Sequence, residues 1–336
     1  MARRVLGYSP VGGLPELRRA VRHAADRDPG LECAQVAVGC GAKQVIFNAF
    51  LATLLPGNEV IVPAPYRASW SAMIRMCGGL PVVVDCPAES GFRLTPEALR
   101  EATTGRTRWV VLNAPGNPSG ATFSHDELAA VAEVLRRHPT VTVLSDEIYA
   151  HIRYDDREYA GLAQVAPDLR ERILLVDGVS KTYAMTGWRV GWGLGPPGLV
   201  RAITAVQTQN CTQTAAVSQL AAVAALEGPQ GILAERRAVY HRRRDAALAI
   251  LRRSPHLDTM ALDGAFYLFP RHATGDDLAV ADALPEAGCA TVPGSAFGAP
   301  GHLRLSFATD ITTLEAGCRT VVDVLDGLGV LDEVAS

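Results

Sequence analysis

Two stretches of the chain, VTVLSDEIY (141–149) and RILLVDGVSKTYAMTGWRVGW (172–192), decide the fold. Each opens with a short, almost wholly apolar run, the pattern of a strand buried on both faces of a parallel sheet. Five further runs of this kind lie between residues 34 and 195: AQVAV (34–38), EVIVPAP (59–65), PVVVDC (81–86), RWVVLN (108–113) and RVGWGLG (189–195). Helical patterns separate them, including a Thr95-Pro96 helix start and a capping box at Ser124 to Glu127. The alternation predicts βα units around a largely parallel sheet.

The residue composition of the sequence changes after Pro197. An alanine-rich stretch (199–227) is followed by an arginine-rich helical pattern (234–253). Beyond them lie the strand candidates GAFYLFP (264–270) and HLRLSFA (302–308), with helical segments at about 276–284 and 312–328. We therefore predict an N-terminal arm (1–11), a large domain (12–228), and a linking helix with a small C-terminal α/β domain (229–336).

Composition excludes several classes of protein. The net charge of −3 and the pI near 6.3 provide no basic field for a nucleic acid. No stretch reaches the roughly 18 uninterrupted apolar residues of a membrane helix. The seven cysteines form no Cys-x-x-Cys pair, so we predict free thiols, no metal site and a cytoplasmic location.

Lysine is rare in this chain: of 32 basic residues only Lys43 and Lys181 are lysines. An amine, unlike a guanidinium, can lose its proton and form a Schiff base. Asp146 ends a predicted strand, and Lys181 and Arg189 follow the next one, where open α/β sheets place ligands. On residue types alone, a structural ion-pair network is the favoured explanation of this cluster.

Two loops carry weaker signals. The turn from Gly39 to Lys43 opens a helix, whose N-terminal amides favour a phosphate, but it lacks the third glycine and the acidic residue of a dinucleotide site. The loop NAPGNPSG (113–120) offers two amide side chains at a strand end, and it is also an ordinary turn.

Eight segments in order resemble the pyridoxal-phosphate-dependent class I/II aminotransferases of the aspartate aminotransferase type, which have fold type I. The resemblance spans Tyr8 to about Arg319. The segments are YSPVGGLPELR, GAKQVIFNAF, PGNEVIVPAPY, NPSG, SDEIY, SKTYAMTGWRVG, GAFYLFP and GHLRLSFA. The resemblance implies a seven-stranded, mostly parallel sheet in a large domain and a smaller C-terminal α/β domain. It also implies a homodimer with shared active sites and pyridoxal 5'-phosphate as cofactor.

The resemblance also implies a role for each matching residue. Lys181 would form the internal aldimine and then move the substrate's α-proton. Asp146 would pair with the pyridinium nitrogen. Asn117 and Tyr149 would hydrogen-bond the ring oxygen. The phosphate would be held by Arg189, Ser180 and the Gly41-Ala42-Lys43 turn, with Tyr8 reaching in from the neighbouring subunit. Arg304 would bind the substrate α-carboxylate.

The sequence departs from the family pattern in two places. Only seven residues precede Tyr8, where family members usually carry several tens that help to close the site, so either the sequence is truncated or the site is more open. In PAPYRASW, Arg67 stands where the family has an aromatic residue stacked on the cofactor ring. We expect Arg67 to contact a carboxylate or phosphate of the substrate, with Trp70 supplying the stacking surface; the alternative is that Arg67 points to solvent.

The leading predicted function is transamination of an amino acid to a 2-oxo acid through an external aldimine and a quinonoid, in amino-acid metabolism or biosynthesis. The main alternative is a pyridoxal-phosphate-dependent enzyme that performs β/γ-elimination, replacement or C–C bond formation, similar to aminocyclopropane-carboxylate synthase. A third possibility is a catalytically silent scaffold, against which Asp146, Lys181 and Arg189 argue.

Overall fold

The computed structural model describes residues 7–24, 32–155, 157, 159–261 and 263–335, with side chains up to residue 328. Residues 1–6 of the predicted N-terminal arm lie outside this description. None of the helices described is long and apolar enough to cross a membrane.

A seven-stranded sheet forms the centre of the larger part of the molecule. Its strands run in the order β1-β7-β6-β5-β4-β2-β3. All neighbours pair in parallel except β7, which is antiparallel to both β1 and β6. The strands are Val36–Gly39 (β1), Glu59–Ala64 (β2), Leu80–Asp85 (β3), Thr107–Asn113 (β4), Thr142–Asp146 (β5), Ile173–Gly178 (β6) and Gly191–Leu194 (β7). The mostly parallel α/β fold predicted from the sequence is confirmed.

Helices cover both faces of this sheet, as a parallel sheet requires. In this part of the chain they are Pro15–Ala24 (α1), Ala42–Thr53 (α2), Ser69–Met76 (α3), Pro96–Ala102 (α4), His125–Arg136 (α5), Leu162–Val165 (α6), Val179–Thr182 (α7), Pro197–Asn210 (α8) and Ala216–Glu227 (α9). The predicted helix starts are confirmed. Thr95 accepts from Ala98 N with Pro96 at the first helical position, and Ser124 and Glu127 form the capping box.

The alanine-rich stretch 199–227 forms two helices rather than one. Helix α8 ends at Asn210, and Thr212 has a left-handed backbone with φ of 63° before α9 begins at Ala216. Thr212 N donates to Gln207 O, which closes the end of α8. The left-handed residue turns the chain and separates the two helices.

The C-terminal part is a smaller layer of helices on short strands. It contains Gly231–Leu251 (α10), Leu257–Asp258 (β8), Tyr267–Leu268 (β9), Arg271–His272 (β10), Asp277–Glu286 (α11), Val292–Pro293 (β11), Leu303–Ser306 (β12) and Ile311–Ala335 (α12). Strands β11, β12 and β9 form an antiparallel sheet. The strand predicted at 264–270 is reduced to two residues, because Ala265 has a φ of 55° and interrupts the extended backbone.

One apolar core joins the two parts. It includes Phe50 and Trp109 beside the large sheet, and Leu251, Leu303 and Phe307 in the C-terminal layer. Because these side chains are almost fully buried, the C-terminal layer is packed against the sheet edge rather than tethered to it. The domain boundaries at 11/12 and 228/229 stay a prediction.

The antiparallel direction of β7 brings its first residue to the edge of the sheet where β1, β5 and β6 end. Gly191 there pairs with both Gly39 and Gly178. A Cβ on Gly191 would lie 2.2 Å from Ala42 N, at the start of α2. The close approach of strand and helix therefore depends on glycine at this position.

We predict that Gly191→Ala lowers the free energy of unfolding by about 1–3 kcal/mol, because β7 and α2 must separate to admit the methyl group. Urea unfolding of the purified protein measures this change. The control is Gly105→Ala, where a Cβ meets nothing within 4 Å and the change should stay within about 0.5 kcal/mol. Equal stability of the two variants would contradict the packing described.

Candidate active site

The carboxyl ends of neighbouring strands meet at one edge of the large sheet. Asn113, the last residue of β4, pairs with Asp146, the last residue of β5. The main chain is locked there, since Asn113 Nδ2 donates to Asp146 O over 3.0 Å and Asn117 N donates to Asn113 Oδ1 over 2.8 Å. The loops that carry polar side chains start from this edge, which is where open α/β sheets bind ligands.

A cavity of about 460 Å³ opens at this edge, between the sheet and the C-terminal layer. Its wall includes Ala42, Lys43, Arg67, Asn117, Asp146, Tyr149, Ser180, Lys181, Arg189 and Arg304. Ser69, Asn113, Ile148, Thr186, Tyr267, Val292 and Phe297 complete much of the remaining wall. Both lysines of the chain face the same space.

Asp146 is the buried acid of the cavity and is only 2% exposed. Burial raises the pKa of its carboxyl to about 6, against the lowering effects of the Arg67 charge, the Ile148 N–H bond and the Lys181 charge. Its Oδ1 accepts from Ile148 N at 3.4 Å. A positive group placed beside this carboxylate would lower its pKa and stabilise the ionised form.

Lys181 follows β6 directly, on the short helix α7. Its Nζ lies 5.9 Å from the ring centre of Tyr149 and 5.4 Å from that of Phe266. Burial first, and then the charges of Arg67, Arg304 and Arg189, lower the pKa of this amine, while Asp146 partly opposes them. At a given pH, a larger fraction of this amine is therefore neutral than in a free lysine. The neutral amine is the form that can act as nucleophile or base.

Arg304 enters the cavity from β12 of the C-terminal layer. Its guanidinium carbon lies 4.8 Å from the ring centre of Tyr267 and 5.0 Å from that of Phe297. Nη1 donates to Asn117 Oδ1 over 3.1 Å, whereas the buried Nε has no hydrogen-bond partner. Because an unpartnered buried donor is costly, this guanidinium is suited to an anionic ligand.

Two tyrosines form a hydrogen-bonded pair in the wall. Tyr149 Oη and Tyr267 Oη are 2.9 Å apart. Burial, followed by the proximity of Tyr267, raises the pKa of Tyr149 well above its usual value. Tyr149 therefore stays a neutral hydroxyl that can donate a hydrogen bond into the cavity.

A second anion cradle lies at the start of α2. Gly41, with φ of 86°, is the residue before the helix, and a Cβ there would lie 2.4 Å from Arg189 Nη2. Arg189 donates from Nη1 to Thr186 O over 3.0 Å and from Nη2 to Cys40 O over 3.3 Å. The helix N-terminus, this guanidinium and the Ser180 hydroxyl together match the needs of a phosphate.

These groups fit pyridoxal phosphate. The cradle suits its phosphate, Asp146 its ring nitrogen, Tyr149 and Asn117 its ring oxygen, and the Lys181 amine its aldehyde. The unpartnered Nε of Arg304 leaves a separate site for a carboxylate. In the part of the chain that the structure describes, no cluster of His, Cys, Asp and Glu side chains has the makings of a metal site.

Two residues singled out in the sequence lie away from this wall. Tyr8 is 93% exposed, and the structure of the single chain does not test its reach into a neighbouring subunit. Trp70 was expected to supply a stacking surface, and this expectation is wrong. Its side chain is 2% exposed, packs in the apolar core on the buried face of α3 and is not part of the cavity wall.

Sequence analysis missed Tyr267 and Phe297 as parts of the site. Tyr267 and Phe297 come from the C-terminal layer, and only the packing of the two layers shows that they face Lys181 and Arg304. A signal existed for Tyr267, because it lies within GAFYLFP, one of the segments that carry the resemblance.

A larger cavity of about 580 Å³ lies between α1, the start of α10 and strands β6 and β7. Its charged wall residues include Glu147 and Asp177, and neither lysine faces it. We assign the chemistry to the smaller cavity, because that one holds the amine, the buried acid and the unpartnered guanidinium.

Comparison with known proteins gives a consistent result. The family model "Aminotransferase class I and II" matches residues 1–321. The chain is 43% identical to an aspartate/prephenate aminotransferase of Cereibacter sphaeroides, covering 96% of this chain and 84% of the relative. It is 44% identical to an aspartate aminotransferase of Rhizobium meliloti, covering 96% and 82%.

Solved structures agree with these relatives. The crystal structure of the aspartate aminotransferase from Rhizobium meliloti is 42% identical, with a TM-score of 0.93 over 97% of this chain and 85% of that one. The aspartate aminotransferase from Thermus thermophilus with maleate is 37% identical, with a TM-score of 0.91 over 96% and 85%.

The pKa of Lys181 is lowered overall, and the negative charge of Asp146 is the one cause that opposes this lowering. We therefore predict that Asp146→Asn lowers the pKa of Lys181 further. Acylation of the cofactor-free protein by limiting anhydride at a series of pH values, with peptide mass mapping, gives the midpoint for each lysine. Lys43 is the internal control, since Asp146 is not among the causes of its own lowered pKa. A Lys181 midpoint that rises in the variant would contradict the electrostatics described.

Proposed function

The chain belongs to the class I and II aminotransferases, and from this premise we propose that it binds pyridoxal 5'-phosphate and transfers the amino group of an acidic amino acid to a 2-oxo acid. The observation that carries the proposal is the Lys181 amine in one cavity with the buried Asp146 carboxyl and the Arg304 guanidinium. The relatives reported above are aminotransferases by name, which favours transamination over elimination or C–C bond formation.

Each side chain of the wall has a proposed task. Pyridoxal phosphate, when bound, supplies an aldehyde that condenses with amines and a ring that takes up the electrons of the broken Cα–H bond. The cradle at Gly41, Ala42 and Lys43, with Ser180 and Arg189, holds its phosphate. Asp146 keeps a proton on its ring nitrogen, and this negative charge in a buried place is the main electrostatic contribution of the chain.

Lys181 is proposed as the residue that joins the cofactor and moves the substrate's α-proton. Its lowered pKa favours the neutral amine, which can accept a proton at Nζ and return it. Tyr149 and Asn117 hydrogen-bond the ring oxygen. Arg304 holds the substrate α-carboxylate through its free Nε and the rest of its guanidinium fork.

Arg67 is the proposed specificity residue. Its side chain lines the cavity, and its charge lowers the pKa values of Asp146 and Lys181 and opposes the rise in the pKa of Tyr149. Among the residues described, it has no ion-pair partner of its own. With Arg304 assigned to the α-carboxylate and Arg189 to the phosphate, Arg67 is left for a second carboxylate on the substrate. The Thermus thermophilus relative was solved with maleate, a dicarboxylate.

We also propose a homodimer with shared active sites. Tyr8 supports this arrangement, because its ring is 93% exposed and lies outside the cavity wall of its own chain. The free thiols of all seven cysteines are in keeping with the proposed cytoplasmic location.

The test of the function is a coupled assay of the holoenzyme with L-aspartate and 2-oxoglutarate. We expect one oxaloacetate for each glutamate formed. A leaving group released without a new amino acid would instead indicate elimination, and protein without visible cofactor absorbance would indicate a silent scaffold.

Lys181→Arg is predicted to lower kcat by at least about 10²–10⁴-fold, because a guanidinium keeps the charge but can neither join the cofactor nor move the proton. Stopped assays with L-aspartate measure the loss. The matched control is Lys43→Arg, which keeps the positive charge at the cradle and should retain most of the activity. Comparable losses in both variants would contradict the separate roles assigned to the two lysines.

Arg67→Gln is predicted to lower kcat/KM for L-aspartate by about 10–100-fold more than it lowers kcat/KM for L-alanine, because the variant loses one charged hydrogen bond that only aspartate can accept. The control is Arg75→Gln on the exposed face of α3, which should alter neither substrate. An equal decrease in kcat/KM for aspartate and for alanine would show that Arg67 does not bind the substrate's second carboxylate.

A further inference from the structure

Two cysteines lie in contact beside the phosphate cradle. Cys40 follows β1 directly, and Cys211 follows the last residue of α8. Their Sγ atoms are 3.8 Å apart although 171 positions separate them in the sequence. The fold therefore brings together two thiols from distant parts of the chain, and neither has a role in the proposed transamination.

Neighbouring side chains form hydrogen bonds with both cysteines. Gln44 accepts from Cys40 N through Oε1 over 2.6 Å and donates from Nε2 to Cys211 Sγ over 2.8 Å. Cys40 Sγ also lies 3.8 Å from Thr214 Oγ1. One glutamine thus links the backbone of the first cysteine to the sulfur of the second, which restrains the separation of the two thiols.

Access to the pair differs from access to the other cysteines. Cys211 is exposed and Cys40 is half-buried, whereas Cys77, Cys86 and Cys318 are buried. Burial raises the pKa of Cys86 and of Cys318 to about 12, so these thiols rarely ionise. An oxidant in solution therefore reaches Cys211 more readily than it reaches the buried thiols.

We propose that Cys40 and Cys211 form a reversible intramolecular disulfide, a modification site next to the phosphate cradle. A disulfide needs a sulfur–sulfur distance of about 2.05 Å, so the two atoms must approach by about 1.8 Å. Cys40 O accepts from Arg189, and Gly41 follows in the chain. The bond therefore ties the cradle to the end of α8.

The chemistry balances with a peroxide as the named oxidant. The Cys211 thiolate attacks one oxygen of hydrogen peroxide, the O–O bond breaks, and Cys211 becomes a sulfenic acid with loss of one water after protonation. The Cys40 sulfur then attacks the sulfenic sulfur, the S–O bond breaks, and the second water leaves. Two thiols lose two electrons and two protons, and one peroxide becomes two waters.

The test is titration of the purified holoenzyme with hydrogen peroxide, followed by removal of peroxide and thiol counting under denaturing conditions. The reduced chain has seven thiols, and we expect the first plateau at five. Mass mapping without reductant should show the peptides of Cys40 and Cys211 joined within one chain, and dithiothreitol should restore seven thiols.

Three variants separate this pair from other oxidation events. Cys211→Ser and Cys40→Ser should each abolish the cross-linked peptide. Cys33→Ser, which removes another half-buried thiol, should leave that cross-link intact. The proposal is overturned if wild-type protein yields no joined Cys40–Cys211 peptide, if oxidation instead joins Cys289 to Cys318, or if the bond forms between two chains on a non-reducing gel.

Discussion

The structure depends on one electrostatic constraint: a carboxylate, Asp146, is held almost out of water at the end of a central strand. Burial raises its pKa to about 6 although the charges of Arg67 and Lys181 lower it, so these positive charges favour the ionised carboxylate. The register of β4 and β5 and the amide of Asn113 fix its main chain. Lys181 and Arg67 supply positive charge near this carboxyl, and the protonated ring nitrogen of the proposed cofactor would supply more.

The second constraint is the convergence of backbone at the sheet edge. Because β7 runs antiparallel to its neighbours, Gly39, Gly178 and Gly191 lie together there, and the start of α2 packs directly on Gly191. This packing places a helix N-terminus and Arg189 in the wall of the cavity that Lys181 also lines. The C-terminal layer contributes Arg304 and Tyr267 to the same wall. The anion sites that we propose for a cofactor phosphate and for a substrate carboxylate thus come from different layers of the fold.

Much of the large sheet could be predicted from the sequence, because fully buried strands leave continuous apolar runs such as VTVLSD, and caps such as Ser124 leave local signatures. Asp146, Lys181 and Arg189 could be predicted because the ends of strands and the rarity of lysine can be recognised in the sequence alone. Tyr267 and Phe297 could not, since only the packing of the second layer brings them to the cavity. Trp70 was misjudged because helical spacing alone does not tell whether a side chain faces a cavity or a core. The left-handed residues Ala265 and Thr212, which shorten a strand and divide a helix, have no local signal of the kind that glycine provides.

The most direct test of the account is covalent trapping of the cofactor. The protein is incubated with pyridoxal phosphate, reduced with borohydride, digested and mapped by mass spectrometry, which distinguishes its two lysines. The account predicts a phosphopyridoxyl group on the peptide that contains Lys181, and an Asp146→Asn protein that still carries the group but turns over far more slowly. A group found on Lys43, or on neither lysine, would contradict it.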